Sequence, residues 1–134
     1  MVNDERSVRL QRYLMIAIGG ALGAMLRYFI GATAAQRFGP QFPVGTFSIN
    51  MSACFLIGFT LEYLNHHTGV NAAWRYVFAV GFIGAYSTFS TFEWETWSDL
   101  ISGAFWIGML YVVTSLVVGL IAVALGSLSA RSLA

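Results

Sequence analysis

The residues best suited to chemistry lie between Gly81 and Phe92, where the chain reads Gly-Phe-Ile-Gly-Ala-Tyr-Ser-Thr-Phe-Ser-Thr-Phe. Two glycines and four hydroxyl side chains, Ser87, Thr88, Ser90 and Thr91, stand in a long apolar surround. In hydrocarbon an unpaired backbone group costs several kcal/mol, so a helix breaks there only where it is buried or lines a wet cavity. Ser and Thr can re-satisfy the amides and carbonyls that a break sets free. Gly84–Thr88 therefore reads as a break deep in a membrane span, the kind of element that builds ion sites at the bilayer midplane. The chain offers many donors to an ion: Asn50, Ser52, Ser87, Thr88, Ser90, Thr91, Tyr111, Thr114 and Ser115. It offers no carboxylate in mid-span, since Glu62, Glu93, Glu95 and Asp99 fall near span ends, whereas a cation path usually carries acids within its spans. Phe89 and Phe92 are three residues apart and share a helix face. An aromatic ring has a positive edge that can approach an anion. Hydroxyls and ring edges together suit a small anion that must shed water without a trapping countercharge, because conduction needs weak binding.

Each residue also has a plainer reading. Ser and Thr in membrane helices often serve only as interhelical glue, and phenylalanines taken singly are core. Asn50 sits about two turns into its span and needs a partner for its two-donor amide. Tyr111 and Ser115 are four apart and continue a polar stripe toward Gly119. Arg27 either snorkels to the interface or acts as a buried electrostatic group. His66 and His67 have no further ligand cluster beside them, and Cys54 is a lone thiol that behaves as a small hydrophobe. Tyr13, Trp74, Trp94, Trp97 and Trp106 read as interfacial belt aromatics.

The elements that must position these residues follow from composition. Of 134 residues 57% are apolar and 10% charged, with a formal net charge of +1 and a mean hydropathy of +0.70. A soluble domain carries about 25% charged residues, so a soluble enzyme is excluded, and the small net charge excludes a nucleic-acid partner. Four stretches are long and apolar enough to span: about 13–35, 44–64, 74–97 and 101–128. They fill one membrane domain over 1–134 and leave no room for a soluble one. The first stretch follows Arg6, Arg9 and Arg12 like a signal peptide, but it is long for an h-region and holds Arg27. All seven cations are arginine. Arg6, Arg9, Arg12, Arg75 and Arg131 fall on one side of a four-span topology, which favours both termini in the cytoplasm. Gly19-x-x-x-Gly23, with Gly20, Gly31, Gly81 and Gly84, marks close helix contact. Four helices cannot enclose a wide pore and bury their own polar groups, so oligomerisation is expected.

Three runs resemble a known family. Gly19-Gly20-x-x-Gly23-Ala24-x-x-Arg27-Tyr28, Gly45-Thr46-Phe47-Ser48-Ile49-Asn50 and Gly81-Phe82-x-Gly84-x-x-Ser87-Thr88-Phe89-Ser90-Thr91-Phe92-x-x-Glu95 are similar, in chain order, to the Fluc/CrcB fluoride channels. The resemblance implies an all-α integral membrane fold of four transmembrane helices, the third broken mid-membrane. It also implies an antiparallel (dual-topology) dimer with two fluoride pathways, in a bacterial inner membrane. Asn50, Phe89, Ser90, Thr91 and Phe92 would line the fluoride path, joined by Tyr111 and Ser115. Arg27 and Glu95 would tune the vestibules, and backbone carbonyls of Gly84 and Ser87 would hold a structural sodium ion at the dimer centre. Ser87 stands where a threonine is commoner, Glu93 where a small polar residue is expected, and Gly119 lacks a hydroxyl. The arginine bias leaves two routes to an antiparallel pair, a homodimer of weak bias or a partner of opposite bias, and the homodimer is preferred.

By that resemblance the chain is a passive channel that exports cytoplasmic fluoride and confers resistance to it, not an enzyme. Two other classes compete. A proton-coupled exporter like the small multidrug-resistance proteins needs a carboxylate in its first span, and Tyr13–Ala35 has none. A structural membrane subunit needs only the glycine and hydroxyl packing.

Overall fold

The computed structural model describes residues 2–39, 42–67, 70–71 and 73–133. Pro40, one of the residues punctuating the first connection, lies outside them. Every regular element among the described residues is helical. Helix α1 covers Val2–Phe38 and α2 covers Val44–His66. Helix α3 is a π-helical stretch, Arg75–Ile83, continued by the turn Gly84–Tyr86. Helix α4 covers Phe89–Ile101 and α5 covers Phe105–Arg131.

Glu5–Phe38, Val44–His66 and Phe105–Arg131 are each long and apolar enough to cross a membrane. Helices α3 and α4 are shorter and rise only about 20 Å each, against a hydrocarbon core of about 30 Å. Between them the backbone leaves the helical region at two residues. Ser87 has φ −75° and ψ 159°, and Thr88 has φ −149° and ψ 113°. Gly84, the glycine that drew attention in the sequence, is helical itself, with φ −61° and ψ −35°. The π-helical winding of nine residues before it is longer than the usual single-turn π-bulge and had no signal in the sequence. Helix α1 starts well before Tyr13, because the charged segment around Arg6 and Arg9 continues the same helix beyond its apolar part. Gly39 and Gly103 take φ of +69° and +87°, a region open to glycine at helix ends and tight turns.

The helices pack in two close pairs, α1 on α3 and α2 on α5. Both contacts bring backbone against backbone where a side chain would not fit. A Cβ on Gly19 would strike the Val77 carbonyl oxygen, and one on Gly23 the Phe82 carbonyl oxygen. On the other pair, a Cβ on Gly58 would strike the Val123 carbonyl, and one on Gly126 the Phe55 carbonyl. Such approach is how membrane helices gain van der Waals contact when lipid supplies no hydrophobic drive. Between the pairs lies a core of Ile49, Ala53, Ile83 and Tyr86. The Tyr86 hydroxyl finds Ser52 Oγ at 2.9 Å, so no polar group is stranded there.

The glycines of α1 should differ sharply in tolerance. Gly23→Val should lower stability by about 1–3 kcal/mol through overpacking against α3. Gly20→Ala, which meets Gly81 oxygen only at 3.8 Å, should be neutral or stabilising by up to about 1 kcal/mol. Unfolding of the full chain in detergent, followed by circular dichroism, measures both; equal losses would contradict the packing described.

Candidate functional site

One pair of hydrogen bonds organises the site. Asn50 on α2 donates from Nδ2 to the Thr88 carbonyl at 3.1 Å and accepts at Oδ1 from the Thr88 N–H at 2.9 Å. A primary amide can meet both needs of an extended residue at once, since it carries donors and an acceptor side by side. This pairing has a consequence one turn back. In an α-helix the Thr88 N–H would serve the Gly84 carbonyl. With that N–H turned to Asn50, the Gly84 carbonyl has no hydrogen-bond partner among the described residues. The Ser87 carbonyl receives only a long contact of 3.5 Å, from Arg27 Nη1 on α1.

On the α4 side Thr88 is the N-cap. Its Oγ1 accepts from the Thr91 N–H at 3.2 Å and donates to Thr91 Oγ1 at 2.9 Å, with Ser90 Oγ 3.5 Å away. Three hydroxyls thus crowd the end of α4 that carries the positive pole of the helix dipole. Ser90 and Thr91 are exposed.

Two clefts flank the extended residues. The larger, about 840 Å³, is lined by Arg27, Thr46, Thr88, Ser90, Thr91 and Glu95 among others. The smaller, about 370 Å³, brings together Asn50, Gly84, Ser87, Phe89, Phe92 and Ser115. The residues singled out in the sequence are therefore divided between two surfaces that share one break. Phe89 and Phe92 lie 5.8 Å apart with their planes tilted by 39°. They are not equivalent, for Phe89 is 72% exposed and Phe92 only 8%. Phe92 also meets the Tyr111 ring at 4.9 Å in an edge-to-face contact.

Tyr111 lines neither cleft. It is fully buried and its hydroxyl donates to Glu95 Oε2 at 2.9 Å. The other carboxylate oxygen, Oε1, accepts from Thr46 Oγ1 at 2.7 Å. Glu95 is thus held by α2 and α5 together, and its charge is met by two hydroxyl donors. Sequence reasoning gave Thr46 no role, and Thr88 only that of one hydroxyl donor among several at the break. For Thr46 the signal was present, because it lies four residues before Asn50 and hence on the same face of α2. For Thr88 it was also present: a Thr directly before a helix start is a common N-cap.

The geometry joins a break held by Asn50, a hydroxyl cluster and a pair of phenylalanines, all within the stretch that a family profile matches. The profile of the family described as "CrcB-like protein, Camphor Resistance (CrcB)" matches residues 14–127. The chain belongs to the CrcB family. It is 43% identical over 120 residues to the "Fluoride-specific ion channel FluC" of Solibacter usitatus, covering 90% of this chain and 98% of that one. It is 49% identical over 115 residues to the protein of the same name in Acidobacterium capsulatum, covering 86% and 92%. A third relative so named, from Chloroflexus aurantiacus, is 45% identical over 113 residues, covering 84% and 90%. With this membership and three long apolar helices, the chain is a multi-pass membrane protein.

Asn50 is the residue whose loss should open the break. Asn50→Leu would strand the Thr88 N–H, at about 1–3 kcal/mol, while the Thr88 carbonyl keeps its bond as N-cap of α4, and hydrogen exchange at the Thr88 amide should accelerate strongly. Asn50→Asp keeps the acceptor for that amide and should preserve its protection. Slow exchange in the leucine variant would show that other groups hold Thr88.

Proposed function

We propose that this protein is a fluoride channel, a passive path by which cytoplasmic fluoride leaves the cell, and that it confers resistance to fluoride. The observation that carries the reading is the sequence likeness to channels named for fluoride, continuous over most of both chains, together with a polar break lined by hydroxyls and phenylalanines. No chemistry on a substrate is needed, so the protein is not an enzyme. Fluoride enters cells as its neutral weak acid and ionises in the more alkaline cytoplasm. An inside-negative potential then drives it outward with roughly 2.3 kcal/mol per charge for each 100 mV.

In this reading α3 and α4 together form a third transmembrane segment broken at mid-membrane by Ser87 and Thr88, and residues 1–134 form a single membrane domain. Asn50, Ser90, Thr91 and Ser115 supply donors along the path, and Phe89 and Phe92 supply ring edges. Tyr111 acts from behind, through Glu95 and through the Phe92 ring. Arg27 adds positive charge at the mouth of the larger cleft.

The open clefts support an antiparallel homodimer. Arg27, Ser90 and Thr91 line a surface that would otherwise meet lipid, where polar groups are costly. A second copy covers them at once. The carbonyls of Gly84 and Ser87 fit a sodium ion at the dimer centre, since both oxygens are short of partners, Gly84 because the Thr88 N–H turns to Asn50 and Ser87 because the Thr91 N–H turns to Thr88 Oγ1. Such an ion, when bound, supplies a fixed positive charge where two breaks meet. The membrane is the bacterial inner membrane, the barrier across which cytoplasmic fluoride must pass.

Release of fluoride from loaded vesicles, with chloride as control, tests the reading. Wild-type protein should empty vesicles of fluoride and not of chloride; no release, or equal release of both, would end it. Phe89→Ile should abolish fluoride release while the dimer still forms, and unchanged release would remove the ring-edge role. Replacing sodium by a large organic cation should weaken assembly or flux, and indifference to it would remove the central cation.

A further inference from the structure

Five of the seven arginines gather at one end of the bundle: Arg6, Arg9 and Arg12 on α1, Arg75 at the start of α3, and Arg131 at the end of α5. Side-chain contacts tie this end together. The Arg12 guanidinium lies 5.1 Å from the centroid of the Tyr76 ring. Arg75 Nη2 donates to Asn65 Oδ1 at 2.9 Å, and Arg131 Nε to Glu62 Oε1 at 2.6 Å. Only part of the charge is answered. Glu62 answers Arg131, while Arg9 and Glu5 stand 3.9 Å apart with side chains 67% and 80% exposed, a surface pair of little worth. Against these five arginines the same end carries three acids, Asp4, Glu5 and Glu62, so cations exceed acids there. The opposite end has the reverse balance, Arg37 against Glu93, Glu95 and Asp99.

The level of these arginines is marked by aromatics. Tyr13 follows Arg12 in the chain and Trp74 precedes Arg75; they are 68% and 57% exposed. Exposed Tyr and Trp on a membrane protein sit at the headgroup level, which puts Arg12 at the phosphate layer and Arg9 one turn further out. Glu5, Val8, Arg9 and Arg12 line an open recess of about 460 Å³ there. The Tyr76 ring holds the Arg12 guanidinium by a cation–π contact, which uses none of its N–H donors and leaves them for an acceptor.

We propose that this recess docks the headgroup of an anionic phospholipid, with Arg9 and Arg12 taking the phosphodiester. Charge complementarity selects the occupant. A phosphodiester matches the guanidinium fork, whereas a zwitterionic headgroup brings its own ammonium and gains less from the arginines. Val8 gives the glycerol backbone an apolar contact, and Glu5 can accept from the hydroxyls of a phosphatidylglycerol headgroup. The site depends only on the protein spanning a membrane, and not on the ion that it carries.

Native mass spectrometry of the full-length protein, incubated with phosphatidylglycerol or phosphatidylcholine, tests it. The wild type should retain phosphatidylglycerol in clear preference. Arg9→Ala, which loosens no contact between helices, should lower that retention about fivefold, and Arg9→Ala with Arg12→Ala about 25-fold. Arg9→Ala with Arg12→Lys keeps one charge without the fork and should retain more phosphatidylglycerol than the double alanine variant, which separates charge from a folding defect. Arg37→Ala, at the other end, should change nothing. Equal retention of the two lipids, or an Arg37→Ala loss as large as that of Arg9→Ala, overturns the proposal. Displacement of the lipid by excess inorganic phosphate would also overturn it, by identifying a soluble-anion site.

Discussion

Everything distinctive in this molecule depends on one exchange of hydrogen bonds between Asn50 and the peptide groups of Thr88. An extended residue among apolar helices has an N–H and a C=O that water cannot reach, and each is costly if left alone. The Asn50 amide answers both. Because it does, the chain can leave α3, run extended for two residues and begin α4 without a polar orphan at Thr88. The same pairing withholds the Thr88 N–H from Gly84. A carbonyl oxygen thereby becomes free to bind something else, at the point where α1 also brings up Arg27. One side chain on α2 thus sets the backbone conformation, the supply of free oxygens and the start of the next helix.

A second network fixes how α4 lies against its neighbours. Glu95 receives hydroxyl donors from Thr46 on α2 and Tyr111 on α5. A carboxylate with two such donors is oriented from both sides, so α4 is clamped within its first two turns. Phe92 lies between, packed edge-on against the Tyr111 ring. That leaves Phe89 as the exposed member of the pair. The two rings are therefore placed differently, one locked into the bundle and one facing outward.

Much of this was legible in the residues. The hydroxyl run from Ser87 to Thr91 announces a break because membrane helices rarely gather four hydroxyls without a use for them. The GxxxG spacing of Gly19 and Gly23 announces close packing because only hydrogen fits where backbones touch. Other features were out of reach. No residue type in Arg75–Ile83 signals its π-helical winding. Tyr111 reads as a pathway donor because a tyrosine four residues before Ser115 continues a polar stripe. Its hydroxyl is instead taken by Glu95, a partner 16 residues away in the chain, and spacing along one helix says nothing of that.

By itself the sequence determined the class of molecule: a membrane protein with a hydroxyl-rich run, few charges and all its cations as arginine. Composition decides these because water and hydrocarbon sort residue types whatever the fold. Tertiary structure alone decided the partners. That Asn50 meets Thr88, that Thr46 and Tyr111 meet Glu95, and that the polar residues divide between two clefts all depend on distances between helices. Those distances come from packing of whole surfaces, and residues 38 or 49 positions apart in the chain carry no local sign that they will touch.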